Sequence, residues 1–292
     1  MNSAEALKQQ LTSIKDNGYS IPPGVDLDAL IADMLVHIGD TDAELRDALI
    51  YSTFREWVDS QILSAAQRKH ILTICLDERH LFFGIGENGT DSVFTRAFSS
   101  LPISLVLWSN QNEAPLLTAA EILDIKETVL RYIDQEKDCR GYVDGKGWAH
   151  AIAHIADALG FLAEASVTTD SEENFSLGRE GLLEILEAVK MMISRRDGVY
   201  TAEEDERLAV PVMDVIYREV LTNEDIIRWI DSFNMGDKEW LRGTMPDSYY
   251  LYVNRKHFMR SLYFKLLSDS GYPGICEHML TFLAKADKDN ED

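Results

Sequence analysis

The chain has 292 residues, with 28 Lys and Arg set against 50 Asp and Glu, a formal charge of −22. That balance excludes a general grip on duplex DNA, which works by neutralising phosphates with surplus cations, and it disfavours an anionic membrane surface for the same reason. The length allows a sizeable core without staples, and an apolar share of 46% is that of a globular chain rather than a disordered one.

The opening MNSAEALKQQLTSIKDNG is polar and mixed in charge, unlike the basic-then-apolar order of a secretory leader. The most apolar stretch, Leu101 to Trp108, is too short to span a bilayer. Cys75, Cys139 and Cys276 are widely spaced and odd in number, so they form neither a CxxC pair nor a disulfide framework. These features predict a cytoplasmic protein with no disulfides, no membrane partner and no nucleic-acid partner.

Along the chain the helical period dominates. Capping boxes, in which a Ser or Thr and an acid or amide three residues on satisfy two orphan amides, are expected at Thr41 with Glu44, Ser64 with Gln67, Thr118 with Glu121, Thr201 with Glu204, and Thr222 with Asp225. Apolar stripes at i, i+3, i+4, i+7 run through Ile122, Ile125, Val129, Leu130 and Ile133, and through Leu182, Ile185, Leu186, Val189, Met192 and Ile193. Gly84, Gly160, Gly198 and Gly236 read as stop signals. Pro211 falls inside a helical pattern and predicts a kink or break near Val210.

Taken in order, the helices repeat. ELRDALIYSTFREWV from Glu44, DSVFTRAFSSLPISLVLW from Asp91, GWAHAIAHIADALGFLA from Gly147, DERLAVPVMDVIYREVL from Asp205 and RKHFMRSLYFKLL from Arg255 start about 50 residues apart, the period of long helix-pair repeats. The partner helices between them are expected at 64–82, 118–135, 179–193 and 222–233. This spacing predicts an all-α fold, an α–α superhelix or HEAT-like solenoid of about five helix pairs, in a single domain over 1–292 that ends in a charged tail from about 285. An irregular all-α globule is the alternative.

The segment from Glu136 to Asp157 stands apart. Gly141, Gly145 and Gly147 precede an alanine-rich helix on which Trp148, Ile152, Ile155, Leu159 and Leu162 form one stripe and His150, His154 and Asp157 another. Two histidines one turn apart can share a divalent metal with Asp157 as third ligand. The Glu of an HExxH motif is missing, because Ala151 stands there. The same side chains also read as buried groups hydrogen-bonded to the Gly-rich loop, with Arg140 and Asp144 as partners or as the rim of a site. Gly84-Ile-Gly-Glu-Asn-Gly89 matches GxGxxG, yet a helix precedes it rather than a strand, so it reads as a turn.

The run RGYVDGKGWAHAIAHIAD from Arg140 resembles the signature of an uncharacterised bacterial domain-of-unknown-function family, numbered 2785. GIGENGTDSVFTRAFSSL from Gly84 is similar to that family's upstream block, and AELRDALIYSTFREWV to its first. The resemblance spans about 30–267. It implies a helical-repeat fold, adds weight to a site at Asp144, His150, His154 and Asp157, and implies no activity.

Aligning the repeats sets Arg96 and Arg260 in register with His150, beside Asp47. The leading functional expectation is a non-enzymatic binding or scaffold protein with a candidate groove of Arg96, Arg140, Asp144, Lys146, Trp148, His150, His154, Asp157 and Arg260, taking a protein, a peptide or a small anion, with no cofactor. The alternative is a metal-dependent hydrolase with a divalent ion on His150, His154 and Asp157, and Asp144 or Glu87 as base. DNA-lesion chemistry on helical repeats is a third reading by fold analogy alone.

Overall fold

The computed structural model describes residues 2–113, 115–167, 175–234, 243–269 and 271–288. It is mostly helical. In chain order come α1 (Ala4–Asp16), α2 (Leu27–Val36), a π-helical stretch (Glu44–Tyr51) that runs directly into α3 (Ser52–Asp59), α4 (Ala65–Cys75), α5 (Ser92–Asn112), α6 (Ala119–Gln135), α7 (Ala151–Glu164), α8 (Arg179–Ile193), α9 (Glu204–Tyr217), α10 (Asn223–Asp231), α11 (Asp247–Ser268) and α12 (Pro273–Lys288). Two-residue strands β1 (Tyr142–Val143) and β2 (Gly147–Trp148) form an antiparallel hairpin, and β3 (Ser166–Val167) pairs with β4 (Phe175–Ser176). Where the sequence reads as one domain, the chain divides into two compact units: Met1–Ala158 with Ala165–Phe175, and Leu159–Glu164 with Ser176–Asp292. No helix among the described residues is long and apolar enough to cross a membrane, and the three cysteines are free thiols.

The first unit is organised around α5, which packs on α3, α4 and the π-helix. Its buried set spans nearly every position from Ser92 to Asn110, so it is a core helix buried on all sides. Four of the hydroxyls this buries are satisfied by the helix itself. Ser99, Ser100, Ser104 and Ser109 each donate to a carbonyl three or four residues back, at 2.6 to 3.1 Å, the local pairing open to short polar side chains. Gly39 touches this helix where no side chain fits. A Cβ there would lie 2.0 Å from Thr95 Oγ1 and 2.5 Å from Thr95 Cα.

In the second unit α9 packs on α8 and α11, α11 also packs on α8 and α12, and α10 packs on α12. The stripe Leu182, Ile185, Leu186, Val189, Met192 and Ile193 is fully buried. Trp229, Phe233 and Phe258 interlock at ring-centroid distances of 5.1 to 6.1 Å. Buried Asn254 pins the preceding loop: its Oδ1 accepts from Tyr200 N at 2.9 Å and its Nδ2 donates to Gly198 O at 2.9 Å.

The capping boxes form at Ser64, Thr118 and Thr222. The other two expected boxes do not. Asp42 Oδ1, not Thr41, receives Glu44 N at 2.9 Å, and Glu203 before α9 is left-handed at φ 64° while the Glu204 carboxylate accepts from Ala202 N at 2.9 Å. Pro211 does not break its helix, since α9 continues from Glu204 to Tyr217 with Pro211 inside. Gly160 is not a stop but a mid-helix residue of α7, facing α9: a Cβ there would sit 2.6 Å from Asp214 Oδ2 and 3.9 Å from Pro211 Cα. The aromatic residues Tyr249, Tyr250 and Tyr252 lie in the first turns of α11. Helix α12 reaches Lys288, so the expected tail is helical at its start, and its last four positions, like Gly236, lie outside the described residues.

Two predictions follow from these contacts. Gly39→Ala forces α5 backbone aside and should cost about 1 to 3 kcal/mol, read as a lower denaturant midpoint at unchanged slope; a wild-type midpoint would refute the close approach. The second concerns Asp214, whose carboxyl is pushed up from 3.8 to about 7, first by burial and then by the charge of Glu164. A carboxyl raised in the folded state holds its proton more tightly there, so its stabilising contribution is complete below about pH 4 and is lost as pH climbs through about 7. Asp214→Asn should flatten this part of the stability curve between pH 4 and 8, and an unchanged pH profile of unfolding would contradict the assignment.

Candidate functional site

The unusual features of the first unit converge on the β1–β2 hairpin. The hairpin ladder pairs Tyr142 with Trp148 and Val143 with Gly147, and it is extended by Ala149 N to Gly141 O at 2.8 Å and His150 N to Arg140 O at 3.1 Å. Gly145 and Gly147 turn the chain with φ of 74° and 79°, values that suit glycine. The hairpin ends in a residue held against preference: His150 is left-handed at φ 54°, a conformation that costs a non-glycine residue energy and clusters at functional positions.

His150 therefore stands just ahead of α7. Its carbonyl accepts His154 N at 2.9 Å, the role of an N-cap residue, and its ring is not stacked one helical turn below His154 as the sequence spacing predicts. The two imidazoles instead meet edge to face at 5.7 Å. His154 is buried and its Nδ1 lies 3.3 Å from Ala97 O. A carbonyl only accepts, so this nitrogen carries the proton. Asp157 is half-buried further along α7. Among the described residues no group of three or more His, Cys, Asp or Glu side chains is placed to hold a metal ion.

What the hairpin does build is a ladder of rings. Tyr142 contacts Trp148 edge to face at 5.0 Å, Trp148 stacks on His150 at 4.2 Å with 21° between planes, and His154 meets Phe98 edge to face at 5.1 Å. The ladder runs from solvent inward. Tyr142 is 58% exposed and Trp148 40%, His150 is half-buried, and His154 and Phe98 are buried. Trp148 is thus not part of the apolar stripe expected on α7, whose members Ile152, Ile155, Leu159 and Leu162 are buried without it.

Beneath the ladder lies Arg46, on the π-helix. Its guanidinium carbon sits 4.3 Å from the Phe94 ring centre and 4.6 Å from that of Phe98. It donates to three carbonyls: Asp40 O at 2.5 Å, and across the fold Lys146 O at 2.7 Å and Trp148 O at 3.0 Å. The side chain is fully buried, and Nε meets no acceptor among the described residues. Burial lowers its pKa from 12.5 to about 10, against the opposing charges of Asp47, Asp40 and Asp42. Burial also raises the Asp47 carboxyl. π-Helical turns recur at functional positions, and here the turn aims a cation at the hairpin.

A second buried arginine sets the neighbouring turn. Arg96 was expected on an open groove; it is instead fully buried and bidentate on Glu136, at 2.6 and 2.8 Å. It also donates to Phe83 O, Gly84 O, Ser92 Oγ and Glu87 O, so it clamps the GxGxxG turn to α5. Glu136 in addition accepts from Tyr132 Oη at 2.7 Å and Asp138 N at 2.8 Å. Buried Asp138 accepts from Gly89 N at 3.0 Å and from Arg140 Nε and Nη2, while Arg140 Nη2 also reaches Thr90 O at 2.5 Å. Lys146 Nζ pairs with both oxygens of Asp91 at 2.6 and 2.7 Å. The Glu87 carboxylate is held below its ordinary pKa by the hydroxyls of Ser92 and Thr90, the opposite of what a general base near neutrality needs. Asp144 is exposed in the hairpin turn. Arg260 belongs to the second unit and is exposed on α11.

The structure thus brings together Trp148, His150 and His154, and, beside them, Arg140, Lys146 and Asp144. It turns Arg96 inward because Glu136 and Asp138 neutralise it. The residues that sequence reasoning passed over are Arg46, Glu136, Asp138 and Tyr142. Their one signal was membership of the segments ELRDALIYSTFREWV and EKDCRGYVDGKGW, in which polar residues interrupt the helical stripe.

The model of the family described as Protein of unknown function (DUF2785) matches residues 81–264. The chain belongs to that family. The matched stretch begins at the end of the turn after α4, so it contains the GxGxxG turn, the hairpin, both histidines and α8 to α10, while Arg46 precedes it. No curated protein matches the chain, and no solved structure does.

The hairpin glycines offer a controlled test. Both should lose about 1 to 2 kcal/mol on substitution by Ala, the cost of left-handed backbone. Only at Gly147 does a Cβ collide, 2.7 Å from Ala43 Cβ; at Gly145 nothing lies within 4 Å. Gly147→Ala should therefore destabilise by about a further 1 to 3 kcal/mol in denaturant unfolding. Equal losses at the two positions would mean that the hairpin does not seat on the π-helix.

Proposed function

We propose that this chain is a non-enzymatic binding protein built on helix-pair repeats, in the manner of an α–α superhelix, and that the β1–β2 hairpin carries its contact surface. The repeat reading is supported by packing within each unit. Successive second helices lie side by side, α3 on α5 and α9 on α11, and first helices pack on the second helices that follow them, α4 on α5 and α8 on α9.

The observation that carries the binding role is the exposure of Tyr142 and Trp148 on a hairpin that is otherwise pinned. Aromatic residues left in solvent on a pre-organised element are the residue type that contributes most at interfaces, and rigidity reduces the ordering cost of association. The polar groups below them are occupied in holding the hairpin, which speaks against a catalytic assignment. A metal-dependent hydrolase finds no support in the placement of His150, ahead of α7 rather than on it.

The test replaces Tyr142 with a photoreactive phenylalanine analogue in the intact chain and irradiates living cells. A discrete adduct is expected from position 142 and none from position 123, an exposed leucine of α6 taken as control. Adducts absent at 142 across growth conditions, or identical at both positions, would overturn the proposal.

A further inference from the structure

We infer that the hairpin surface recognises a cationic side chain, and that the ligand class is an arginine-bearing basic peptide segment of a partner protein. The inference rests on the reading of the hairpin as a contact surface and adds its chemistry. Tyr142 and Trp148 meet at 82° between ring planes, so the two exposed rings form a corner. The π-faces of such rings attract guanidinium and ammonium groups, and a planar guanidinium also stacks on them.

The charges around the corner point the same way. An anionic ligand would need a cation to spare: Arg96 has Glu136, Arg140 has Asp138 and Lys146 has Asp91, and Arg46, bonded to carbonyls, is fully buried away from any ligand on the surface. Asp144, exposed in the turn between the two strands, has no hydrogen bond or ion pair among the described residues and is the charge left over. At long range the net charge of −22 steers basic partners inward and turns acidic ones away.

The experiment uses the full chain and two peptides of identical length, one with two arginines in a Gly/Ser frame and one with both replaced by citrulline, which keeps the shape and removes the charge. Binding is followed by calorimetry up to millimolar peptide. The arginine peptide should bind saturably and more weakly as salt is raised, and the citrulline peptide should not bind. Trp148→Leu should weaken binding by about two- to five-fold, the size of an exposed cation–π contact, while Trp148→Phe, which keeps a ring, restores most of it. Asp144→Asn should weaken binding by about two-fold and reduce the salt dependence. Unfolding midpoints near wild type for these exposed positions separate loss of binding from loss of fold.

Equal binding of the citrulline peptide overturns the inference, as does arginine-peptide binding that neither Trp148→Leu nor Asp144→Asn affects, or no binding at all. In each of those cases a position-142 adduct would still uphold the contact surface, so the two readings fail separately.

Discussion

The arrangement of the first unit depends on the buried guanidinium of Arg46. A cation removed from water is costly unless its donors are met, and no carboxylate among the described residues pairs with it directly. Its hydrogen bonds go to carbonyls and its faces rest on Phe94 and Phe98. Two of the three carbonyls belong to the hairpin. If the hairpin lifts, Arg46 loses most of its acceptors inside an apolar core, so hairpin and core are stable together or not at all. That the pKa of Arg46 falls to about 10 shows desolvation outweighing the surrounding aspartates. The geometry is sustained by the fold around it, not by charge pairing.

A chain of two arginines and two carboxylates extends the same logic sideways. Arg96, Glu136, Asp138 and Arg140 are linked through direct bonds and shared backbone amides, and Arg96, Asp138 and Arg140 each also hold part of the Gly84 to Asp91 turn. Breaking a buried pair such as Arg96–Glu136 by removing one partner leaves an uncompensated charge, a loss of about 3 to 5 kcal/mol. The turn and the hairpin lack extended strands or long apolar contacts of their own, so this network supplies the rigidity that packing supplies elsewhere. It also explains why the surface above is aromatic and acidic: the arginines have been drawn inside.

The helices were legible where period and caps agree. Stripes such as Leu182 to Ile193 bury as read, and boxes at Ser64, Thr118 and Thr222 form, because local hydrogen bonds and one apolar face fix both ends. What failed was the region where non-local contacts decide. His150 and His154 have helical spacing, yet the hairpin claims His150 through Arg140 O and Trp148 stacking. Gly160 looks like a terminator and is a crossing point, because its lack of a side chain serves a neighbour 54 positions away, Asp214. The π-helix at Glu44 resembles any amphipathic segment, and only its contacts with the hairpin, about 100 residues on, distinguish it. A candidate locus was legible from glycine and histidine density; its chemistry was not, since arginines that look available in sequence are neutralised in space.

That distinction bears on the proposal of binding over catalysis. A catalytic site keeps a titratable group poised, with a partner that tunes it towards the working pH and an open side facing substrate. At the hairpin three titratable groups are tuned the other way or turned inward: Glu87 is stabilised as its anion, the Nδ1 proton of His154 faces the Ala97 carbonyl, and Asp138 is spent on Gly89 and Arg140. Solvent meets the rings of Tyr142 and Trp148 and the Asp144 carboxylate, unpaired among the described residues, on a stiff support. In the proposed binding role, what such a surface offers an incoming molecule is stacking, charge complementarity and a low ordering cost. Those are requirements of recognition, the role proposed for the hairpin.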